Sequence, residues 1–276
     1  MKTNRIYFYI LVLVASLLTS VARADVLVLV HGWNANADTW VRSGVAPLLV
    51  QHGWHDAGVV IATPQGVSHL PGYPSRVTSK RFYRVHLPSN TPMLLQASHL
   101  TSQLAFIQQR HPDESLEVAG HSSGGVVARL VAIKPELVNI HKLITIASPH
   151  LGTPRAVQGL EVVDSKPFFC PGPGIDFLKS LFGGNKYDYL KHSRGAMLDL
   201  APAGTGNLID WLNQQVHPEI QYHSIVHMGL DNLVPTVSQD LKQVPALAGR
   251  ATTHVIQAPH NLNPGDGHLL LRILAR

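Results

Sequence analysis

The chain has 276 residues, 45% of them hydrophobic and 14% charged, which is the balance of a globular protein with a sizeable core. Its 22 basic and 17 acidic residues give a formal net charge of +5, too small an excess to indicate nucleic-acid binding. Cys170 is the single cysteine, which excludes an intramolecular disulfide.

The first 24 residues have the organisation of a secretory signal peptide. Lys2 and Arg5 precede an apolar run from Ile6 to Leu18, and the segment ends in an Ala-x-Ala sequence at Ala24. A membrane anchor is the alternative, but the apolar run is short for a bilayer span. The sequence therefore predicts cleavage after Ala24, export to the periplasm or beyond the cell, and a single domain over residues 25–276.

The rest of the chain alternates strands and helices, which predicts an α/β domain with a mostly parallel sheet. Val26–Val30 is an unbroken apolar run, as expected of a parallel strand buried on both faces. Further strands are predicted at residues 58–62, 116–119, 143–147, 222–228 and 253–258. Helices are predicted at residues 45–51, 90–110 and 126–133 and at the carboxyl end. The segment 68–84 has no clear periodicity and leaves room for a turn and an extra strand.

The sequence Gly120-His-Ser122-Ser-Gly124 lies between a predicted strand and a predicted helix. This order is that of a nucleophile elbow, in which a strained turn exposes a serine hydroxyl. The glycines supply the small side chains that such a turn needs, and the helix aims backbone N–H groups at the serine. A glycine-rich structural turn is the alternative, but the position between strand and helix favours Ser122 as a nucleophile.

Two backbone N–H groups are predicted to form an oxyanion hole beside this serine. One belongs to Ser123, the residue after the nucleophile, and the other to Trp33, which follows the first strand. Gly32 would let that segment turn inward. His31 is predicted to be a structural hydrogen-bonding residue rather than a second base.

The alternation of strands lapses between residues 154 and 218, where an amphipathic segment is flanked by glycine and proline. We predict a helical cap inserted over the elbow, and the pattern does not distinguish a moving lid from a fixed subdomain. Its aromatic and leucine side chains are expected to line an acyl site or to face lipid: Phe168, Phe169, Phe177, Leu178, Leu181 and Phe182.

A serine nucleophile needs an acid and a histidine that follow it in the chain. Asp231 follows the strand predicted at 222–228, at the sheet edge where such folds bind ligands. Asp199 and Asp210 lie in the predicted cap and are less well placed. Two histidines follow the last strand: the predicted start of the terminal helix favours His268 as the base, and His260 is the alternative.

Three segments resemble those of α/β-hydrolase lipases and esterases, especially bacterial triacylglycerol lipases: Val28–Trp33, Gly120–Gly125 and Ala147–Pro154. The third is similar to a Thr-Pro-His-x-Gly-Thr segment of those enzymes, and the segments around Asp231 and His268 resemble their acid and histidine segments. The resemblance implies the α/β-hydrolase fold and hydrolysis of carboxylic esters through an acyl-enzyme. Some relatives carry a calcium site or a disulfide, and neither a matching carboxylate cluster nor a cysteine pair is evident here.

The sequence therefore predicts a serine ester hydrolase that acts on lipid-like esters without metal or cofactor. Ser122 would be the nucleophile, His268 the base and Asp231 its orienting carboxylate. Transient contact with a lipid interface is expected, a nucleic-acid partner is not, and the oligomeric state is open. A thioesterase or phospholipase with the same residues is one alternative. A catalytically silent binding protein is another, but it would need none of the three residues.

Overall fold

A central sheet organises the part of the chain that the computed structural model describes, residues 26–72, 78–164 and 192–275. Its strands are β1 (Val26–Val30), β2 (His55–Thr63), β3 (Gly66–Leu70), β4 (Arg81–His86), β5 (Leu116–His121), β6 (Ile140–Ile146), β7 (Gln221–Gly229) and β8 (Ala251–Ala258). They form one eight-stranded sheet in the order β3-β2-β4-β1-β5-β6-β7-β8. The β2–β3 pair is antiparallel and the other pairs are parallel.

Helices connect these strands. They are α1 (Thr39–Arg42), α2 (Val45–Gln51), α3 (Met93–Arg110), α4 (Ser123–Ala132), α5 (Pro154–Asp164), α6 (Arg194–Leu200), α7 (Leu208–Gln214), α8 (Thr236–Gln239) and α9 (Pro264–Leu274). Two 3₁₀ turns lie at Leu241–Gln243 and Pro245–Leu247. Within the described ranges, no helix is long and apolar enough to cross a membrane.

Hydrophobic clusters cover both faces of the sheet. In β1, Val28 packs into a cluster with α3 and α4, whereas Leu27 and Leu29 pack into a second cluster with α2 and α9. Because β1 is buried on both sides, it needs an apolar residue at every position. The predicted class, a mostly parallel sheet flanked by helices, is confirmed.

The structure supplies strands in the segment 68–84, which the sequence leaves open, and it starts the terminal helix earlier than predicted. The segment 68–84 contains the end of the β2–β3 hairpin, whose outer strand alternates between exposed and partly buried residues, and the start of β4. The terminal helix starts at Pro264, well before His268. Asn263 caps it and accepts a hydrogen bond from the Gly265 N–H, and Asp266 completes a reciprocal capping box. The capping box fixes this earlier start.

The predicted cap is described only in part. Its outer portions contain α5, α6 and α7, between β6 and β7. The six aromatic and leucine residues between Phe168 and Phe182, together with Cys170, lie outside the described residues. A cap over the elbow therefore remains a prediction.

Candidate active site

Ser122 lies in the sharp turn between β5 and α4. Its backbone has φ +54° and ψ −130°, in the left-handed region that L residues avoid. Such a conformation costs about 1–3 kcal/mol and persists only when its surroundings hold it. Here the Ser122 N–H donates to the Ile146 carbonyl at 2.8 Å, which ties the turn to the end of β6.

The glycines of the elbow are required by close contacts between backbone segments. A Cβ atom on Gly120 would lie 2.6 Å from the Gly125 Cα, and one on Gly124 would lie 2.4 Å from the His31 carbonyl oxygen. A Cβ on Gly125 would lie 2.1 Å from the Ser148 Oγ. The elbow therefore packs directly against the end of β1 and the segment after β6.

Replacing Gly124 by alanine should destabilise the fold by about 3 kcal/mol or more, because the new methyl would overlap backbone that cannot move aside. Gly249 offers a matched control, since it has open space around its Cα and an ordinary φ. Gly249→Ala should change stability by no more than about 0.5 kcal/mol. Chemical denaturation of both variants measures the difference, and equal midpoints would contradict this account of the elbow.

A chain of hydrogen bonds joins Ser122 to a histidine and a carboxylate. The Nε2 of His260 lies 2.8 Å from the Ser122 Oγ, and its Nδ1 lies 2.8 Å from the Asp231 Oδ2. Because a carboxylate only accepts, Nδ1 carries the proton and Nε2 is free to accept one from the serine hydroxyl. A nucleophile, a base and an orienting acid in this geometry are equipped for covalent catalysis.

The prediction that His268 lies beside Ser122 is wrong. His268 is exposed on α9, and its ring centroid lies 6.5 Å from that of His52. Because α9 begins at Pro264, His268 falls in the second turn of the helix on its solvent face. His260 instead lies two residues beyond the carboxyl end of β8.

Chain position carried a signal that could have identified His260. Asp231 lies two residues beyond Gly229, the end of β7, and His260 lies two residues beyond Ala258, the end of β8. β5, β7 and β8 are parallel members of one sheet, so their carboxyl ends bring Ser122, Asp231 and His260 to one edge.

Asp231 is held in its ionised form by four donors. Its Oδ1 accepts from the N–H groups of Leu233 at 2.8 Å and Val234 at 3.0 Å. Its Oδ2 accepts from Gln239 at 3.0 Å and from His260. Burial works to raise the pKa of Asp231, but the His260 imidazole and the two backbone N–H groups outweigh it, and the pKa is lowered.

The two predicted oxyanion donors lie on segments next to Ser122. Ser123 begins α4, where the first N–H groups of a helix have no partner within the helix. A Cβ on Gly32 would lie 2.9 Å from the Ser122 Cβ, and Trp33 borders the cavity that Ser122 lines. The role of Ser123 and Trp33 as donors to an oxyanion remains a prediction.

His31 has a structural role, as predicted. Its Nδ1 donates to the Gly32 carbonyl, and its Nε2 accepts from the Leu87 N–H, both at 3.0 Å. Burial lowers the pKa of His31 to about 4, so the ring stays neutral at ordinary pH. The two acids that the sequence places in the cap form hydrogen bonds with other groups. Asp199 accepts one from the Met93 N–H, and Asp210 accepts one from the Gln214 side-chain amide.

The segment after β6, Ala147–Pro154, has a function that the sequence alone did not indicate. The His150 N–H donates to the Ser238 carbonyl at 2.7 Å, and the Thr153 hydroxyl donates to the Leu233 carbonyl. Both acceptors belong to the stretch that follows Asp231. Through these two hydrogen bonds, the segment anchors the stretch of chain that follows Asp231. Its Ser148 also packs against the elbow.

Ser122 opens into a cavity of about 640 Å³, a volume typical of small-molecule sites. Part of its lining is apolar: Ala156, Met197, Leu200, Leu233 and Val234. Other lining residues are polar and include Arg42 and Arg155, and none of the described lining residues is a carboxylate. No group of three or more metal-binding side chains occurs among the residues that the structure describes.

Comparisons with known proteins give partial matches in sequence. A family model described as a PGAP1-like alpha/beta domain matches residues 87–163, which include Ser122 but neither Asp231 nor His260. A GPI inositol-deacylase of Debaryomyces hansenii is 38% identical over 74 residues, 24% of this chain. The match covers only 7% of that protein's length.

Solved structures match over nearly the whole chain. The mature form of the Bacillus licheniformis lipase BlEst2 has a TM-score of 0.59 at 16% identity, over 93% of this chain and 92% of that one. The esterase EaEST of Exiguobacterium antarcticum has a TM-score of 0.55 at 13% identity, over 92% and 93% of the two chains. At these identities the likeness establishes the fold.

Proposed function

Because the chain has the α/β-hydrolase fold that bacterial lipases and esterases share, we propose that it is a serine hydrolase that cleaves carboxylic esters. The observation that carries the proposal is the hydrogen-bonded chain from Ser122 through His260 to Asp231, with both links at 2.8 Å. The fold alone would not suffice, since one fold serves many functions. The sequence relative from Debaryomyces hansenii is a deacylase by name, which is consistent with removal of an acyl group.

The mechanism follows from the protonation states of the three side chains. Ser122 Oγ attacks the ester carbonyl while His260 Nε2 accepts its proton, and the resulting imidazolium is stabilised by the Asp231 carboxylate. His260 then returns the proton to the leaving alcohol, which leaves an acyl-enzyme. Water, activated by the same imidazole, releases the acid and restores Ser122. The N–H groups of Ser123 and Trp33 would stabilise the oxyanion formed in both steps.

The cavity supports a lipid-like acyl group as substrate. Its apolar lining includes Met197 and Leu200 of α6, and Ser122 borders the same cavity. Burying an acyl methylene contributes about 0.8 kcal/mol, so longer chains gain binding energy until the apolar part of the cavity is full.

A second candidate is an acyl ester of an anionic lipid, such as a phospholipid. The two arginines in the cavity lining, Arg42 and Arg155, favour it. The Arg42 guanidinium bonds to two neutral oxygens, those of Asn36 at 3.1 Å and Thr39 at 3.4 Å. A thioester would use the same machinery, because the three catalytic groups do not select the leaving group.

Hydrolysis of a series of esters tests the substrate assignment. We expect kcat/KM to rise about fourfold per methylene beyond a four-carbon acyl chain. Met197→Ala should reduce this increment, whereas Leu198→Ala should leave it unchanged, because Leu198 is 45% exposed on the same helix and does not line the cavity.

The same assay separates the alternatives. If acetyl esters are the best substrates and Met197→Ala leaves the profile unchanged, the lipid-like substrate is refuted in favour of a small ester. A preference for anionic over neutral glycerolipids of equal chain length would favour the second candidate. A matched thioester hydrolysed faster than its oxygen ester would identify a thioesterase.

A further inference from the structure

A second buried histidine–aspartate pair lies beneath the loop that carries His260. His227 projects from β7 with a fully buried side chain, and its Nε2 lies 2.7 Å from the Asp266 Oδ1. Its Nδ1 lies 2.7 Å from the carbonyl oxygen of Pro259, the residue before His260. A carboxylate and a carbonyl both accept hydrogen bonds, so an imidazole with protons on both nitrogens satisfies both partners.

Asp266 has the surroundings of an ionised carboxylate. Besides His227, it accepts from the Asn263 N–H at 2.9 Å and the Asn263 side-chain amide at 3.0 Å. It also lies in the first turn of α9, whose partial positive charge favours an anion. The pair is therefore an imidazolium and a carboxylate, both fully buried.

The charges around His227 agree with this assignment. Burial works to lower the pKa of His227, but the Asp266 carboxylate, the Pro259 carbonyl and the more distant Asp231 outweigh it, and the pKa is raised. From β5, His121 also faces this region, and burial lowers its own pKa to about 3, so that it is neutral. Among the described residues, the charged groups that raise the pKa of His227 are therefore the carboxylates of Asp266 and Asp231.

We propose that the His227–Asp266 ion pair is a positioning device for His260 and makes the activity sensitive to alkaline pH. The inference rests on the proposed function, in which His260 is the general base. His227 fixes the peptide carbonyl just before His260, Asp266 fixes the Asn263 N–H after it, and His121 Nε2 donates to the carbonyl of His260 itself at 2.9 Å. The loop is held on both sides of the base.

Loss of the His227 proton would break this arrangement. A neutral ring has one N–H for two oxygens that both lie at 2.7 Å, so one oxygen would face a nitrogen lone pair. A shift of about 1 Å in a catalytic group costs on the order of 10²-fold in rate. Because the folded-state pKa is raised, the pair stabilises the fold fully below the unfolded-state pKa, and this contribution is lost as pH rises through the folded-state pKa.

Asp266→Asn tests the proposal against a matched control, Asp56→Asn. Asp56 is also buried, pairs with the Arg84 guanidinium at 3.2 Å and accepts from the Gly58 N–H at 3.0 Å, but it lies near the start of β2. That is the end of the sheet away from Ser122. We expect both variants to melt at lower temperature, and only Asp266→Asn to lower kcat for a soluble ester, by about tenfold or more, with KM changed less than about threefold.

The pH profile separates positioning from general destabilisation. In the wild-type protein, kcat should fall at alkaline pH. At each pH, the rate measured with Ser122→Ala is subtracted as the background rate of ester hydrolysis. Asp266→Asn should move this fall to lower pH, because the imidazolium loses its carboxylate. His227→Gln should remove the fall altogether, because an amide does not titrate, while kcat is lower at every pH.

NMR of imidazole-¹⁵N-labelled protein gives a readout that does not depend on turnover. We expect two bound ring protons on His227 at neutral pH, assigned through contacts with Pro259. The low-field proton of the His260–Asp231 hydrogen bond should shift in Asp266→Asn and stay in place in Asp56→Asn.

Two results would overturn the proposal: a singly protonated His227 at neutral pH, or an unshifted His260 proton and unchanged kcat profile in Asp266→Asn. Failure of the proposed function has a different signature, which is no ester turnover above the Ser122→Ala blank in the wild-type protein. In that case the His260 resonance still decides whether the pair positions the loop.

Discussion

Ser122→Ala should lower kcat for ester hydrolysis by about 10³-fold or more while the protein remains folded. The alanine leaves no oxygen to form the acyl-enzyme, and the remaining catalysis would come from the oxyanion donors and substrate binding. A serine-directed fluorophosphonate should label the wild-type protein at Ser122 and should fail to label the variant. Steady-state kinetics and mass spectrometry of the labelled peptide provide the two measurements.

Ser43 provides the control, because it lines the same cavity but donates its hydroxyl proton to the Trp40 carbonyl at 3.1 Å. Ser43→Ala should retain activity within about threefold and should still be labelled. Labelling of Ser122→Ala at another site with near-normal turnover would refute the assignment of the nucleophile. A wild-type protein that is neither labelled nor active would favour a silent hydrolase fold used for binding.

His260→Ala should reduce turnover by about 10³-fold or more, whereas His268→Ala should stay within about twofold of the wild-type protein. His260 bonds to both Ser122 and Asp231, and His268 is exposed on α9 away from them.

Single-turnover kinetics of the two histidine variants distinguish loss of chemistry from loss of substrate binding. Full activity in His260→Ala together with loss in His268→Ala would move the base to α9. Such a result would require a large rearrangement of the loop between β8 and that helix.

The fold and the positions of Ser122 and Asp231 could be predicted from the sequence, because the patterns that identify them are local. A nucleophile elbow needs small residues at fixed offsets from the serine, and Gly120 and Gly124 carry that requirement in the sequence itself. The unbroken apolar run of β1 identifies a strand buried on both faces. Asp231 lies two residues beyond the end of β7, and the end of a strand can be located from the hydrophobic pattern alone.

The sequence assigns the histidine wrongly because the choice rests on the start of the terminal helix and not on the distance from the preceding strand. The sequence pattern places the start of the terminal helix near His268, whereas the capping box of Asn263 and Asp266 starts the helix at Pro264. Its real start moves that residue into the second turn. The hydrophobic pattern of the sequence also gives no sign of the contact between His227 and Asp266. These residues are 39 positions apart and meet only when β7 and α9 pack together.

The proposed catalytic group also sets a constraint on when during synthesis the protein can become active. Ser122 and His260 are 138 positions apart, and contacts of such long sequence separation form late and slow the folding of a domain. A chain still emerging from the ribosome, complete only to the end of β8, would contain the nucleophile and Asp231 but no base. In the proposed mechanism, hydrolytic competence would therefore arise only after the loop that follows β8 has been synthesised. A nascent chain that stops before this loop would be inactive towards the ester proposed as substrate.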